Sequence, residues 1–208
     1  MKAIISDLDG VLLDTEPAMA KACIKGFKEK YGITSRMEDY EPLCGMGAVS
    51  YFTALCKLYG IPFHESIIDE LYEFYFDVIE TEARHFPGVP EKIKEWHDNG
   101  IVLAVASSSP ERKVYTNLKV AGLDLKYFSA IVTGDDVKEA KPDPAIFIEA
   151  ARRIGANPAD CLVYEDSIHG IKAAKLAGMR AIGIRGLFKD DELFENGAEK
   201  ILNSIAED

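Results

Sequence analysis

The chain has few cysteines. Cys23, Cys44, Cys56 and Cys161 are scattered through 208 residues without a C-x-x-C spacing, so neither a zinc site nor a disulfide framework is indicated and reduced, mostly buried thiols are expected. His64, His85 and His97 show no metal-ligand spacing, and His169 reads as a solvent-facing helix residue. Positive charge is also short: 24 Lys and Arg stand against 35 Asp and Glu, a net charge of −11, which repels a phosphate backbone and argues against a nucleic-acid partner. Long apolar runs are missing too. The longest, IVLAVA at 101–106, cannot span a bilayer, and Lys2, Asp7 and Asp9 interrupt any signal-peptide core. With no N-x-S/T acceptor either, the expectation is a soluble cytoplasmic protein without a membrane partner. Nothing sets an oligomeric state, and a monomer is the default. The GMG at 45–47 lacks a third glycine and a preceding strand, so it is not a dinucleotide fingerprint.

What the chain does have is a 48% hydrophobic content, enough to bury a sizeable core. Short apolar runs, KAIIS (2–6), IVLAVA (101–106), AIVT (130–133), CLVY (161–164) and RAIGI (180–184), show no polar alternation, as strands covered on both faces do. Helical patterns fall between them: PEKIKEWHDNG, PERKVYTNLKVAG, PAIFIEAARRIG and SIHGIKAAKLAG, each closing on the glycine expected just past a helix end. This alternation predicts an α/β fold, a doubly wound, Rossmann-like parallel sheet.

One interval breaks the rhythm. About 100 residues separate Asp7 from Ser107, where a βαβ unit needs about 30. The surplus reads as helical, with Tyr72, Tyr75 and Phe76 at core-like spacing. The expected organisation is a core domain, residues 1–15 and 86–208, with an inserted all-helical domain over 16–85. Pro and Gly near both junctions, Asp14 to Pro17 and Phe86 to Gly88, suit a hinge.

The strand ends carry the chemistry. Asp7 and Asp9 follow the first run on one strand face. The second delivers Ser107, Ser108 and Ser109 ahead of a helix, where hydroxyls and N–H groups can hold an anion. GDDVKEAKPDP after the third carries Lys141, and the fourth ends in Glu165 and Asp166 with Ser167 as a helix cap. Two carboxylates about 4 Å apart repel by roughly 4 kcal/mol at an effective dielectric near 20, so such a cluster calls for a cation. Every ligand on offer is oxygen, which favours Mg²⁺. A divalent ion beside a lysine and a hydroxyl cluster suits a phosphoryl substrate, with Asp9 available as proton donor and acceptor.

DLDGVLLDTEP, the serines after a strand, KPDP and EDSIHGIKAAKLAGM, in that order and spacing, resemble the four signature motifs of the haloacid dehalogenase superfamily, and within it the branch of β-phosphoglucomutase-like phosphatases with a helical cap. The resemblance covers the whole chain. It implies that Asp7 is the nucleophile that becomes an aspartyl-phosphate, that Asp9 is the general acid and base, and that Ser107 and the Ser108 N–H grip the phosphoryl oxygens while Lys141 balances charge. It further implies Mg²⁺ held by Asp7, the backbone carbonyl of Asp9 and Asp166, supported by Glu165, with Ser109 and Gly45 among the substrate contacts. Asp14 and Thr15 read as stabilising the turn into the cap, and Asp135 and Asp136 remain open between surface charge and orienting the lysine.

An acid at Asp9 favours phosphate monoesters, whose alkoxide leaving group needs a proton. The expected reaction is therefore Mg²⁺-dependent hydrolysis of a small-molecule phosphate ester, a sugar phosphate or similar metabolite. A hexose-phosphate mutase is the alternative. Against it, Ala48 stands where similar mutases carry a cap arginine, no Lys or Arg lies between Glu41 and Cys56, Met19 replaces a frequent cap histidine, and Pro110 and Glu111 stand where the mutase has lysine and asparagine. A receiver-type phospho-switch has an acidic Mg²⁺ pocket and a lysine as well, but neither the helical insert nor an acid such as Asp9.

Overall fold

The protein, seen in a computed structural model, is described for residues 3–43 and 47–208. It divides into two compact units, Met1–Asp14 with His85–Asp208, and Thr15–Arg84.

The Thr15–Arg84 unit is helical. It contains α1 (Glu16–Tyr31), α2 (Ala48–Tyr59) and α3 (Ser66–Glu82). α1 takes a proline in its first turn, where the missing N–H costs nothing, and stops at Gly32. Aromatic packing holds the unit together. The Phe27 ring meets Tyr59 edge-on at 5.1 Å, Phe52 meets Tyr72 at 5.9 Å, and Tyr72 meets Tyr75 at 6.2 Å. Tyr75 is fully buried, so the aromatic stripe of α3 is core. Tyr40 is buried as well and satisfies its hydroxyl by donating to Ser35 at 2.6 Å.

The larger unit is a three-layer α/β domain. Its strands are β1 (Ala3–Ser6), β2 (Val102–Ala106), β3 (Ala130–Val132), β4 (Cys161–Glu165), β5 (Arg180–Ile184) and β6 (Lys200–Leu202), with helices α4 (Val89–Asp98), α5 (Glu111–Val120), α6 (Ala145–Arg153), α7 (Ile168–Leu176) and α8 (Asp190–Glu195). All strand pairs are parallel, in the order β3-β2-β1-β4-β5-β6. Every residue of β1 is buried, as expected of a central strand covered on both faces. Alanines at 104, 106, 150, 173 and 174 line the core beside Ile5, Phe147, Val163 and Ile171, and such small side chains let α6 and α7 lie close against the sheet.

The sheet has one strand more than the five apolar runs indicate. β6 is three residues long, with Lys200 exposed and Ile201 half-buried, too short for a periodic signal. The six-residue α8 ahead of it escapes notice for the same reason, with Leu193 its one buried residue.

Candidate active site

The chain order of the sheet reverses around β1, which has β2 on one side and β4 on the other. Parallel strands bring their carboxyl ends to one edge, and a crevice opens where the order reverses. Asp7 stands one residue beyond β1, its N–H donating to the carbonyl of Tyr164 on β4 at 2.9 Å. The residue is only 6% exposed.

Lys141 comes to it from the segment between β3 and α6. Its Nζ donates to Asp7 Oδ1 at 2.6 Å, to Glu165 Oε2 at 2.8 Å and to the Ala106 carbonyl at 3.2 Å. It also lies 4.8 Å from the centre of the Phe147 ring, so one cation is shared by two carboxylates, a carbonyl dipole and a π face. Burial pushes the Asp7 carboxyl well above the usual carboxylate range; Lys141 opposes the rise, and Glu165 and Asp9 add to it. Burial pulls the Lys141 ammonium down, but Asp7 and Glu165 together outweigh it and hold the lysine above its ordinary value, fully charged.

Glu165 ends β4, and both its oxygens are engaged. Oε1 accepts from the Ser167 N–H at 3.0 Å and the Ser167 hydroxyl at 2.8 Å, while Oε2 takes Lys141. Ser167 in turn caps α7, accepting from the Gly170 N–H at 3.0 Å. Gly170 cannot be larger, because a Cβ there would lie 1.9 Å from the Glu165 carboxyl carbon. Asp166 follows, and its carboxylate covers Gly10 so closely that a Cβ on Gly10 would come 2.1 Å from Oδ2. Gly10 also has φ +85°, a conformation that disfavours any side chain.

Asp9 is held separately. Its Oδ1 accepts from Lys113 Nζ at 2.7 Å and Asn117 Nδ2 at 2.8 Å, and its Oδ2 accepts from the Ser109 hydroxyl at 2.7 Å. Lys113 and Asn117 lie on the buried face of α5 and were not singled out from the sequence. The signal available was their type and spacing: a lysine and an amide four residues apart on the same face as the buried Val114 and Leu118, continuing a register that begins at Ser109. Charged and amide side chains on an apolar face usually have a partner.

Of the other expected residues, Ser107 is buried, with its N–H donating to the Val132 carbonyl at 3.0 Å and its Oγ accepting from the Ser109 N–H at 3.2 Å. Ser108 is half-buried and lines a cleft with Gly134, Lys138 and Lys141. The Ser109 hydroxyl, expected to meet substrate, points to Asp9. Gly45 lies outside the described residues. Asp135 accepts from the Glu111 N–H at 2.8 Å and so closes the start of α5, whereas Asp136 accepts from the Thr133 N–H at 2.8 Å and pairs with Arg153 at 2.5 Å. The acid that orients Lys141 is therefore Glu165. His169 is exposed.

Carboxylate oxygens of Asp7, Glu165 and Asp166 come within 4.8 Å of one another. The single charge of Lys141, spread over Asp7 and Glu165, leaves such a group acidic, and its donors are all oxygen. Both facts fit a hard divalent cation such as Mg²⁺. Glu165, with both oxygens already engaged, suits a supporting place behind Asp7 and Asp166. No helix among the described residues is long and apolar enough to cross a membrane.

A family model described as haloacid dehalogenase-like hydrolase matches residues 1–178. The phosphorylated carbohydrates phosphatase of Thermotoga maritima is 34% identical over 222 residues, covering 100% of this chain and 99% of that protein. SUPPRESSOR OF QUENCHING 1 of Arabidopsis thaliana is 32% identical over 209 residues, and the chain spans only 20% of its length. Among solved structures, CbbY of Rhodobacter sphaeroides, determined in complex with xylulose-1,5-bisphosphate, superimposes with a TM-score of 0.84 at 28% identity, covering 100% of this chain and 96% of that one.

Proposed function

Because the chain belongs to the haloacid dehalogenase-like hydrolases, we propose that it hydrolyses a small phosphate monoester through a phosphoryl group carried on Asp7. The observation that carries this reading is the Lys141 bridge: a buried carboxylate at the end of the central strand, held at 2.6 Å by a lysine that Glu165 fixes in place. A counter-ion so fixed lets an anionic substrate approach an anionic nucleophile without reorganising.

In the first half-reaction an Asp7 oxygen attacks phosphorus as the bond from phosphorus to the ester oxygen breaks. Asp9 gives its proton to that oxygen, and the alcohol leaves neutral. In the second, Asp9 takes a proton from water while the water oxygen attacks phosphorus; the bond to Asp7 breaks, and inorganic phosphate and the Asp7 carboxylate are restored. The Ser107 hydroxyl and Ser108 N–H hold the phosphoryl oxygens. Mg²⁺, held by Asp7, the Asp9 carbonyl and Asp166 with Glu165 behind them, would offset the charge gathered on those oxygens. The names of its relatives, a phosphorylated carbohydrates phosphatase and a protein solved with a sugar bisphosphate, support a sugar phosphate or a metabolite of similar size as substrate.

A panel of phosphorylated metabolites, scored by inorganic phosphate release with Mg²⁺ and again with EDTA, tests the proposal. Release is expected for at least one sugar phosphate and is expected to disappear with EDTA. Isomerisation of a hexose 1-phosphate that needs a bisphosphate activator, without net phosphate release, would replace the hydrolase with a mutase. The acid role has its own check, read in kcat/KM, which reports the first half-reaction and not the later water attack that both substrates share: Asp9→Asn is expected to lower kcat/KM about 10²-fold on an alkyl phosphate and far less on acetyl phosphate, whose leaving group needs no proton. Equal losses of kcat/KM on the two would remove Asp9 from protonating the leaving group.

A further inference from the structure

We propose that Lys113 and Asn117 are positioning residues for Asp9, a role that rests on the hydrolase reading and extends it into α5. Ser109, Lys113 and Asn117 follow one another at four-residue intervals, so they form a single stripe down one helix face and its approach. All three side chains end on the same carboxylate: Nζ of Lys113 at 2.7 Å and Nδ2 of Asn117 at 2.8 Å on Oδ1, and the hydroxyl of Ser109 at 2.7 Å on Oδ2. Lys113 also donates to the Ser109 hydroxyl at 3.0 Å, which turns that hydroxyl's proton toward Asp9.

The arrangement goes beyond packing needs. Asn117 is completely buried and the Lys113 side chain is 6% exposed, at helix positions where a leucine or methionine would fill the space without needing partners. Donors on both oxygens fix the plane of the carboxylate as well as its place. A proton donor acts only if its oxygen stays within hydrogen-bond reach of the leaving group, and misplacement by about an ångström is enough to slow a positioned reaction. Asp9 is on a turn after β1, whereas its three donors are carried by α5 and by Ser109, two residues ahead of it; the helix and its approach therefore set where the acid points.

The test compares two substrates. Lys113→Met, Asn117→Leu and Lys113→Arg are each assayed with Mg²⁺ on an alkyl phosphate that the wild type hydrolyses and on acetyl phosphate. For Lys113→Met and Asn117→Leu, the ratio of kcat/KM on the alkyl ester to kcat/KM on acetyl phosphate, which leaves out the water attack common to both, is expected to fall at least about tenfold; Lys113→Arg is expected to recover most of the ratio, since it restores a charged donor. Circular dichroism and the thermal melt measure folded enzyme independently of turnover, and a variant that merely loses structure loses kcat/KM on both substrates together. Equal falls of kcat/KM on both substrates, or an unchanged ratio in both Lys113→Met and Asn117→Leu, would overturn the inference and leave the hydrolase reading standing. A wild-type protein that releases phosphate from neither compound would overturn that reading, and this inference with it.

Discussion

Asp7→Asn is expected to abolish turnover, lowering phosphate release by at least about 10⁴-fold on good and poor leaving groups alike. The amide keeps the size and nearly the shape of the carboxyl, so the loss isolates its chemistry. An uncharged amide oxygen is a poor nucleophile and cannot carry the phosphoryl group through an aspartyl ester. The independence from leaving group separates this residue from Asp9, Lys113 and Asn117, whose losses are expected to follow the basicity of the departing oxygen. Stability should move the other way. Asp7 is buried beside Glu165, and burial together with that neighbour raises its carboxyl against the counter-charge of Lys141. Removing one of two acids that share one ammonium relieves repulsion, so the metal-free variant is expected to melt no lower than the wild type. Phosphate release and thermal melting on the same preparation check both statements. Residual turnover above a thousandth of wild type, with acetyl phosphate as substrate, would place the nucleophile elsewhere.

Much of this architecture is legible because its physics is local. β1, β2 and β4 are almost wholly buried and β5 is buried after the exposed Arg180, so each appears as an apolar run, and all the helices but α3 close within two residues on a glycine with positive φ. Parallel strands deliver their following residues to one edge, which is why Asp7, Asp9, Ser107, Lys141, Glu165 and Asp166 can be gathered from positions far apart in the chain. What escapes is anything whose meaning depends on a partner brought by the fold. Asp135 and Asp136 look alike in sequence, yet one closes the start of α5 and the other pairs with Arg153. Ser109 reads as a substrate contact from its place in a serine run, but its hydroxyl is directed to Asp9. Lys113 and Asn117 sit one and two helical turns beyond Ser109, inside α5 and past the loop that follows β2. Only the polarity of an otherwise apolar face marks them.

Lys141→Met separates stability from catalysis at the opposite end of the charge balance. Methionine retains the length and flexibility of the lysine stem and can still pack on the Phe147 ring, which the ammonium approaches to 4.8 Å. What it cannot do is neutralise. Asp7 and Glu165 would face one another with side chains only 9% and 2% exposed and no cation between them, and breaking a buried pair by removing one partner costs about 3–5 kcal/mol. The metal-free variant is expected to melt at least several degrees lower, since about 1 kcal/mol corresponds to roughly 2–4 °C in a chain of this size. Saturating Mg²⁺ should return part of the deficit by supplying positive charge to the same carboxylates, and that recovery should exceed the effect of Mg²⁺ on the wild type. Activity should not recover with it. Without the fixed ammonium, the approach of an anionic phosphoryl group to Asp7 meets uncompensated repulsion, and kcat is expected to stay at least about 10³-fold below wild type even with Mg²⁺ in excess. Thermal melts with and without Mg²⁺, paired with phosphate release under the same conditions, read the two effects independently. A variant that recovers activity in proportion to its stability would reduce Lys141 to a structural counter-ion.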